Sequence, residues 1–525
     1  MSELLPSKAS FLPDEPIEIE IRGEVGPGTL TVWHLGDLVA EIACAGSDRI
    51  TLPPLPAGGY AVELGDLRTA IEIAANSRDR LRYGFVANFA PDKDATGLSD
   101  TARRLHLTGV MFYDWAYRHA DLMAGGEEYR DPLDQPISLP TVRRLVSAVQ
   151  AAGSRALGYA AVYGVSPKDW GLWKHLALLK ADGRPYSLGD FLYVLDPAAP
   201  DWLAHFTADL RKATASLGFD GYHLDQYGYP KRAIRADGSD IDVAASFVTM
   251  IEGVRAALPG AHLVFNNVND FPTGLTGPTD QDAVYIEPWA PQLTLQSLAD
   301  TVTRARAAGQ GKPVVLAAYQ HVYDKAPAAE SDRATALTMA TLYSHGGTQI
   351  LAGETDRILV DPYYVRNHVM EQSTSDLLKR WYDFLVIHDE LLMPPSLTEV
   401  THSYAGDYNG DLDVAFAAAE TSVTAEAGKV WRRIVRAGDR LVVHLINLTG
   451  QTDTMWDAAR NPPGDPGSAT LRFKPLFGRT PKVWAADPDG AGRLGAVGVA
   501  ADSDYCTATL PPLRLWQVVA IDLSA

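Results

Sequence analysis

Cysteine is nearly missing from this sequence of 525 residues: there are two, Cys44 and Cys506, near opposite ends. That excludes a disulfide framework and a cysteine-based zinc site, and it points to free, buried thiols. Positive charge is also short. Lys and Arg number 46 against 65 Asp and Glu, a formal charge of -19, which repels polyphosphate backbones and anionic lipid and argues against nucleic acid or a membrane as partner. No apolar run approaches the length of a membrane span, and the start, MSELLPSKASFLPDEPIEIEIRG, lacks the basic, apolar and small-residue parts of a secretory signal. As written, the chain is expected to be cytoplasmic; a secreted protein whose leader had been removed would read the same way. Also missing are HExxH, EF-hand spacing, a Gly-rich phosphate loop after any strand and a Ser nucleophile elbow. No metal and no cofactor is therefore expected, and the oligomeric state is left open.

What is present suits a soluble multi-domain protein, with 46% hydrophobic and 21% charged residues and no low-complexity tract. Residues 1–76 alternate polar and apolar positions in PIEIEIRG, TLTVWHLG and YAVELG, the period of short half-buried strands, and predict an N-terminal immunoglobulin-like β-sandwich. From about Arg82 the rhythm changes to eight short apolar runs, at 82–89, 107–115, 155–164, 219–228, 262–268, 283–289, 313–320 and 347–354. Helical periodicity lies between most of them, as in LPTVRRLVSAVQAAG and LQSLADTVTRARAAG. Eight such units over 77–393 predict a (β/α)8 TIM barrel. An open doubly wound sheet is the weaker reading, because no dinucleotide fingerprint follows any strand. After SDLLKRWYDFLVIHDELL the strand-like runs KVWRRIVRAG and RLVVHLINLTG begin a C-terminal antiparallel β-sandwich over 394–525. The predicted fold is thus multi-domain α/β and β, a central barrel flanked by two β domains.

Barrel active sites form where the strands end, so the polar residues closing each run are the ones to weigh. The fourth run ends in Asp225-Gln226-Tyr227, the fifth in Asn266-Asn267, the sixth in Glu287-Pro288-Trp289, the seventh in Tyr319-Gln320 and the eighth in Glu354. The second ends in Tyr113-Asp114-Trp115, with His119 close behind, and Tyr159 and Tyr163 belong to the third. Strand alternation puts His223 and Asp225 on one face, and Tyr285 and Glu287 on one face, so both carboxylates can point into one cup. Two opposed carboxylates are what glycosidic cleavage requires: one protonates the departing oxygen and the other meets the electron-poor sugar carbon. Aromatic residues such as Trp115, Tyr163, Tyr227 and Trp289 suit stacking on pyranose faces, and Asn267 and Gln320 suit sugar hydroxyls. Each residue alone has a plainer explanation, as a helix cap, an ion-pair partner or packing; only their coincidence on one rim favours a sugar site.

GYHLDQYG and YIEPW, with FYDWAYRH, AAVYG, HLINLTG and TMWDAARNPP, resemble glycoside hydrolase family 66, the family of endo-dextranases and cycloisomaltooligosaccharide glucanotransferases. The resemblance runs over most of the chain. It implies a retaining attack on α-1,6-linked glucose in dextran or isomaltooligosaccharides, with Asp225 as nucleophile and Glu287 as acid/base. Asp114, Trp115, His119, Tyr163, His223, Gln226, Tyr227, Asn267, Trp289, Tyr319, Gln320 and Glu354 are the expected substrate contacts. Two positions depart from the expected pattern, Pro288 and Tyr227. Transglycosylation to cyclic products, a different sugar or linkage, and a non-catalytic glycan-binding role remain as alternatives.

Overall fold

The computed structural model describes residues 2–46, 48–406, 409–474, 481–502 and 504–523, and each of the eight apolar runs contributes a parallel strand. These are β1 (Tyr83–Val86), β2 (Gly109–Phe112), β3 (Arg155–Ala161), β4 (Gly221–Asp225), β5 (His262–Val268), β6 (Ala283–Glu287) and β7 (Val314–Leu316), with the eighth run split into β8 (Thr348–Gln349) and β9 (Ala352–Gly353). The amphipathic segments between them form α1 (Ala95–Arg104), α2 (Leu139–Ala151), α3 (Pro200–Leu217), α4 (Val243–Ala257), α5 (Leu295–Gly309) and α6 (Ala328–Ser344), and α7 (Gln372–Ile387) follows the last strand. Spatial order follows chain order from β1 to β8, and β9 then pairs with β1. The two ends of the series meet through the split strand, as in a (β/α)8 barrel. A Cβ on Gly353 would lie 2.1 Å from the Phe85 carbonyl oxygen, so this closing contact admits only glycine.

The ring departs from a regular repeat between β5 and β6, where the short helix Thr273–Thr276 replaces a full crossover helix. Within the ring, alternate residues divide as the pleat requires. Leu157, Val264, Ala283, Tyr285 and Val315 fill the lumen, while Phe112, Leu224 and Phe265 turn outward onto the helices around α2 to α4.

The N-terminal segment folds into a three-stranded and a four-stranded antiparallel sheet. Ile17–Arg22 buries every second residue, and Ile19, Leu30, Val32 and Val62 join both sheets in one core. Cys44 lies in that core, and both cysteines are buried and unpaired. The C-terminal strands form a seven-stranded and a four-stranded sheet around Val414, Ile434, Val443 and Leu471. Trp381 of α7 stacks on Trp516 with ring centroids 5.6 Å apart, which ties the last barrel helix to these strands. Among the described residues no helix is long and apolar enough to cross a membrane.

His444 illustrates how this packing responds to pH. It is buried, stacks on Trp516 at 6.0 Å, and among the described residues neither ring nitrogen has a hydrogen-bond partner. Burial, then the Arg433 charge, holds its pKa well below the usual histidine value. The unfolded chain takes up this proton near pH 6.5 and the folded chain does not, so stability falls as pH drops below that point, by about 1.4 kcal/mol per pH unit per proton. His444→Phe keeps the stacked ring without the titration. The loss of thermal midpoint between pH 7 and pH 5 should be smaller in this variant than in the parent protein.

Candidate active site

The carboxyl ends of β3 to β7 converge on a cleft of about 300 Å3. Asp225 closes β4 and Glu287 closes β6, with β5 between them. The residue at the matching height of β5 is Asn266, and its amide joins the two acids: Nδ2 donates to Asp225 Oδ1 at 2.7 Å and to Glu287 Oε2 at 3.3 Å. Each acid has a phenol on its other side. Tyr159 Oη donates to Asp225 Oδ2 at 2.7 Å, and Tyr319 Oη donates to Glu287 Oε1 at 2.7 Å. Among the described residues neither carboxylate has an ion-pair partner, and the side chains that donate to them, Tyr159, Asn266 and Tyr319, are all neutral.

That environment separates the two acids electrostatically. Burial raises the pKa of Glu287 to about 7, helped by the neighbouring Asp225 charge, against hydrogen bonds from Tyr319, Asn266 and Trp289. Burial also raises Asp225, opposed by its bonds to Tyr159 and Asn266. Near neutrality one acid can therefore hold a proton while the other is ionised, the arrangement acid/base chemistry needs. Asp114, in the left-handed region at φ 47°, is a third carboxyl at the cleft, pushed well up by burial and by the Asp131 and Asp225 charges. His119 and His223 are kept neutral by burial, their pKa values lowered to about 4 and about 3.

A larger cavity of about 580 Å3 lies where Leu67–Thr69 faces α7. Two ion pairs lie within its walls, Lys379 with Asp383 and Arg104 with Glu3.

The model of glycosyl hydrolase family 66 matches residues 50–520. The chain belongs to this family. A cycloisomaltooligosaccharide glucanotransferase of Niallia circulans is 25% identical over 399 residues, which cover 66% of this chain and 41% of the relative. A dextranase of Streptococcus salivarius is 24% identical over 243 residues, 40% of this chain and 29% of the relative. The matched segments thus span less than half the length of these curated relatives. In fold, the chain is similar to a Paenibacillus sp. cycloisomaltooligosaccharide glucanotransferase complexed with cycloisomaltoheptaose, with a TM-score of 0.88, 20% identity, and 99% and 100% of the two chains covered.

Of the residues that the sequence assigns to substrate, Asp114, His119, His223, Gln226, Tyr227, Trp289 and Tyr319 line the family 66 cleft with Asp225 and Glu287. Five do not reach it. Trp115 is fully buried, its indole donating to the Tyr159 carbonyl. Tyr163 lies behind Tyr227, stacked on it at 5.3 Å, and its hydroxyl accepts from the Tyr227 amide. Asn267 points away from the lumen and is used up by the Phe265 and Tyr285 carbonyls and by Thr276. Gln320 is likewise buried, bonded to Ala318 and Thr335. Glu354 turns from the cleft to pair with Lys93 and to accept from the Ala87 and Asn88 amides.

The physical reason at β5 and β7 is the pleat: Val264 and Asn266 share the inner face, as do Val315 and Tyr319, so Asn267 and Gln320 must face outward. Applied to β5, the alternation already used on β4 and β6 would have selected Asn266. Leu133, Phe191, Tyr363 and Tyr364 also line the cleft. They come from loops that carry no periodic signal.

Proposed function

We propose that this chain cleaves α-1,6-glucosidic linkages in dextran or isomaltooligosaccharides by a retaining double displacement, with Asp225 as nucleophile and Glu287 as acid/base. The observation that carries the reading is the shared Asn266 amide. Because one nitrogen lies 2.7 Å from one carboxylate and 3.3 Å from the other, their nearest oxygens are separated by no more than the sum of those lengths. That favours the about 5–5.5 Å between carboxyls of retaining enzymes over the about 6.5–9.5 Å of inverting ones. The linkage comes from the family and from relatives named dextranase and cycloisomaltooligosaccharide glucanotransferase.

In the first step protonated Glu287 gives its proton to the glycosidic oxygen as Asp225 attacks the anomeric carbon. The bond to the leaving sugar breaks and a β-linked glycosyl-enzyme forms. In the second, ionised Glu287 takes a proton from water as that water attacks the same carbon, Asp225 departs and the α configuration returns. Tyr159 and Asn266 hold Asp225 in place for attack, and Tyr319 orients Glu287. The domain division that goes with this reading is 1–76, 77–393 and 394–525, the ring in the middle unit and β-sandwiches on either side.

A sugar hydroxyl replacing water in the second step makes the same machinery a transglycosylase, the reading that the names of the glucanotransferase relatives support. Incubation with defined α-linked glucans, followed by proton NMR, tests both. Newly formed α-anomers from α-1,6 substrates are expected, and rings among the products would select transfer. Initial release of the β-anomer would overturn the retaining mechanism.

The pH profile gives a second check. The acid must be protonated, so activity is present below the Glu287 pKa and lost as pH rises through about 7. The nucleophile must be ionised, so activity is lost again as pH falls through the raised pKa of Asp225. A bell in kcat/KM with its alkaline limb near pH 7 is expected; a limb above pH 9 would remove Glu287 from the role of acid.

A further inference from the structure

Tyr364 reaches the barrel mouth from beyond the ring of strands. The short strands Arg357–Ile358 and His368–Val369 pair with each other and extend the sheet past β9. Between them the chain presents two adjacent tyrosines with opposite fates, Tyr363 at the surface with 42% exposure and Tyr364 turned inward with 3%. Three rings fix the inward one. Tyr113 stacks on it at 4.4 Å, and Phe85 and Tyr319 meet it edge to face at 5.5 and 6.2 Å. The turn is fastened locally as well, because Asn367 Nδ2 donates to the Tyr364 carbonyl at 2.9 Å.

Packing of this kind accounts for the ring but not for the hydroxyl, since phenylalanine would stack as well. The hydroxyl has its own partners. Tyr364 Oη lies 2.9 Å from Tyr285 Oη inside the lumen, and on its other side it interacts with the hydroxyl of Tyr319. Tyr319 in turn donates to Glu287 Oε1 at 2.7 Å. A phenol has one proton to give and lone pairs with which to accept. With the Tyr319 proton committed to ionised Glu287, Tyr364 is left to donate to Tyr319, and Tyr285 to Tyr364. Burial, with the Glu287 charge adding to it, raises the pKa of all three phenols, so each stays a neutral donor throughout the range in which the acid pair titrates. The bonds point one way, from the lumen to the acid/base.

We propose that Tyr364 is a positioning residue for Glu287: its hydroxyl is the middle member of a chain of phenols, Tyr285 to Tyr364 to Tyr319, that strengthens and aims the Tyr319 hydrogen bond on the acid/base carboxylate. Each donor in such a chain polarises the next, so a hydroxyl that does not touch the carboxylate still acts on it. The proposal rests on the reading of Glu287 as acid/base. It adds that the segment carrying Tyr364, which lies outside the eight strands, helps to set when that acid gives up its proton.

The test is the pH profile of kcat/KM on a single isomaltooligosaccharide for the parent protein, Tyr364→Phe, Tyr319→Phe and the double variant. Removing the Tyr364 hydroxyl weakens a bond that favours ionised Glu287, so the alkaline limb should move to higher pH, by about 0.3–0.5 unit. Tyr319→Phe, which removes the bond itself, should move it the same way by about one unit. In the double variant the limb should stand where Tyr319→Phe alone puts it, because Tyr364 acts only through Tyr319. KM should stay within about twofold in Tyr364→Phe. Tyr285→Phe reads the same chain from its far end and should give a smaller shift in the same direction. A parent limb near pH 7 that stays in place in Tyr364→Phe, or that moves equally with and without the Tyr319 hydroxyl, overturns the proposal and leaves Glu287 as the acid. A parent limb above pH 9, or no cleavage at all, overturns both.

Discussion

Asp225→Asn and Glu287→Gln should each abolish turnover of native glucans while leaving the fold intact. Loss of a general acid costs on the order of 10^2–10^4, and loss of a nucleophile acting within a unit costs at least as much. The two variants should then differ in a way that reports their roles. With an activated donor such as an α-glucosyl fluoride the leaving group needs no proton, so Glu287→Gln should still form the glycosyl-enzyme and stall there. Added azide, which needs no general base, should release it as the α-glycosyl azide. In Asp225→Asn the β face is open, and azide entering directly should give the β-glycosyl azide. Exchange of these two outcomes would reverse the assignment of nucleophile and acid.

Glu287→Gln carries a second consequence, for stability. The unfolded carboxyl ionises near its ordinary pKa, whereas the folded one holds its proton up to about pH 7. Between those values the native state binds more protons, so stability falls as pH rises, and above pH 7 the whole cost of the buried charge is present. The cleft is open to solvent, which reduces that cost; about 1–2 kcal/mol is a fair expectation. The glutamine variant should therefore melt higher than the parent protein at pH 8 and at the same temperature at pH 4, a trade of stability for function of the kind found at active sites.

The second large effect is expected at Asn266, which touches both acids through one amide nitrogen. Asn266→Ala removes a donor from each carboxylate. Since both bonds favour the charged forms, both pKa values should rise and both limbs of the pH profile should move to higher pH. The rate at the optimum should fall by about 10^2-fold, comparable to loss of one preorganised donor in other active sites, with KM changing little. A purely structural role would lower activity without moving either limb. Asn266→Asp, which adds a third negative charge between the two acids, should be worse than alanine.

Geometry at the strand ends decides which of the polar residues there face the site. The alternation of β4 and β6 was legible because His223 with Asp225, and Tyr285 with Glu287, keep the two-residue period up to the last strand position. At β5 two asparagines stand side by side, and composition alone does not say which one faces inward; the pleat does, and it selects Asn266. Glu354 misleads for a different reason. It lies in the left-handed region at φ 53°, after the closing strand has ended, so its side chain leaves the lumen and finds Lys93. Trp115 and Tyr163 are large aromatic residues at strand ends that serve packing rather than ligand.

Much of the fold was legible because apolar runs and amphipathic segments alternate with little interruption from β1 to α7. The missing helix between β5 and β6 and the split of the eighth strand were not. Nor were the walls supplied by Leu133, Phe191 and Tyr363, since loops owe their course to tertiary contacts rather than to a local period.

The claim underlying the whole account is that Asp225 reaches an anomeric carbon from the face opposite the leaving group. A 5-fluoro-α-glucosyl fluoride, which forms the covalent intermediate but slows its breakdown, followed by proteolysis and peptide mass spectrometry, tests this directly. The account predicts one added sugar per chain, located on Asp225 and accumulating further in Glu287→Gln. A sugar found on another carboxylate, such as Asp114, or inactivation without any covalent adduct, would contradict it.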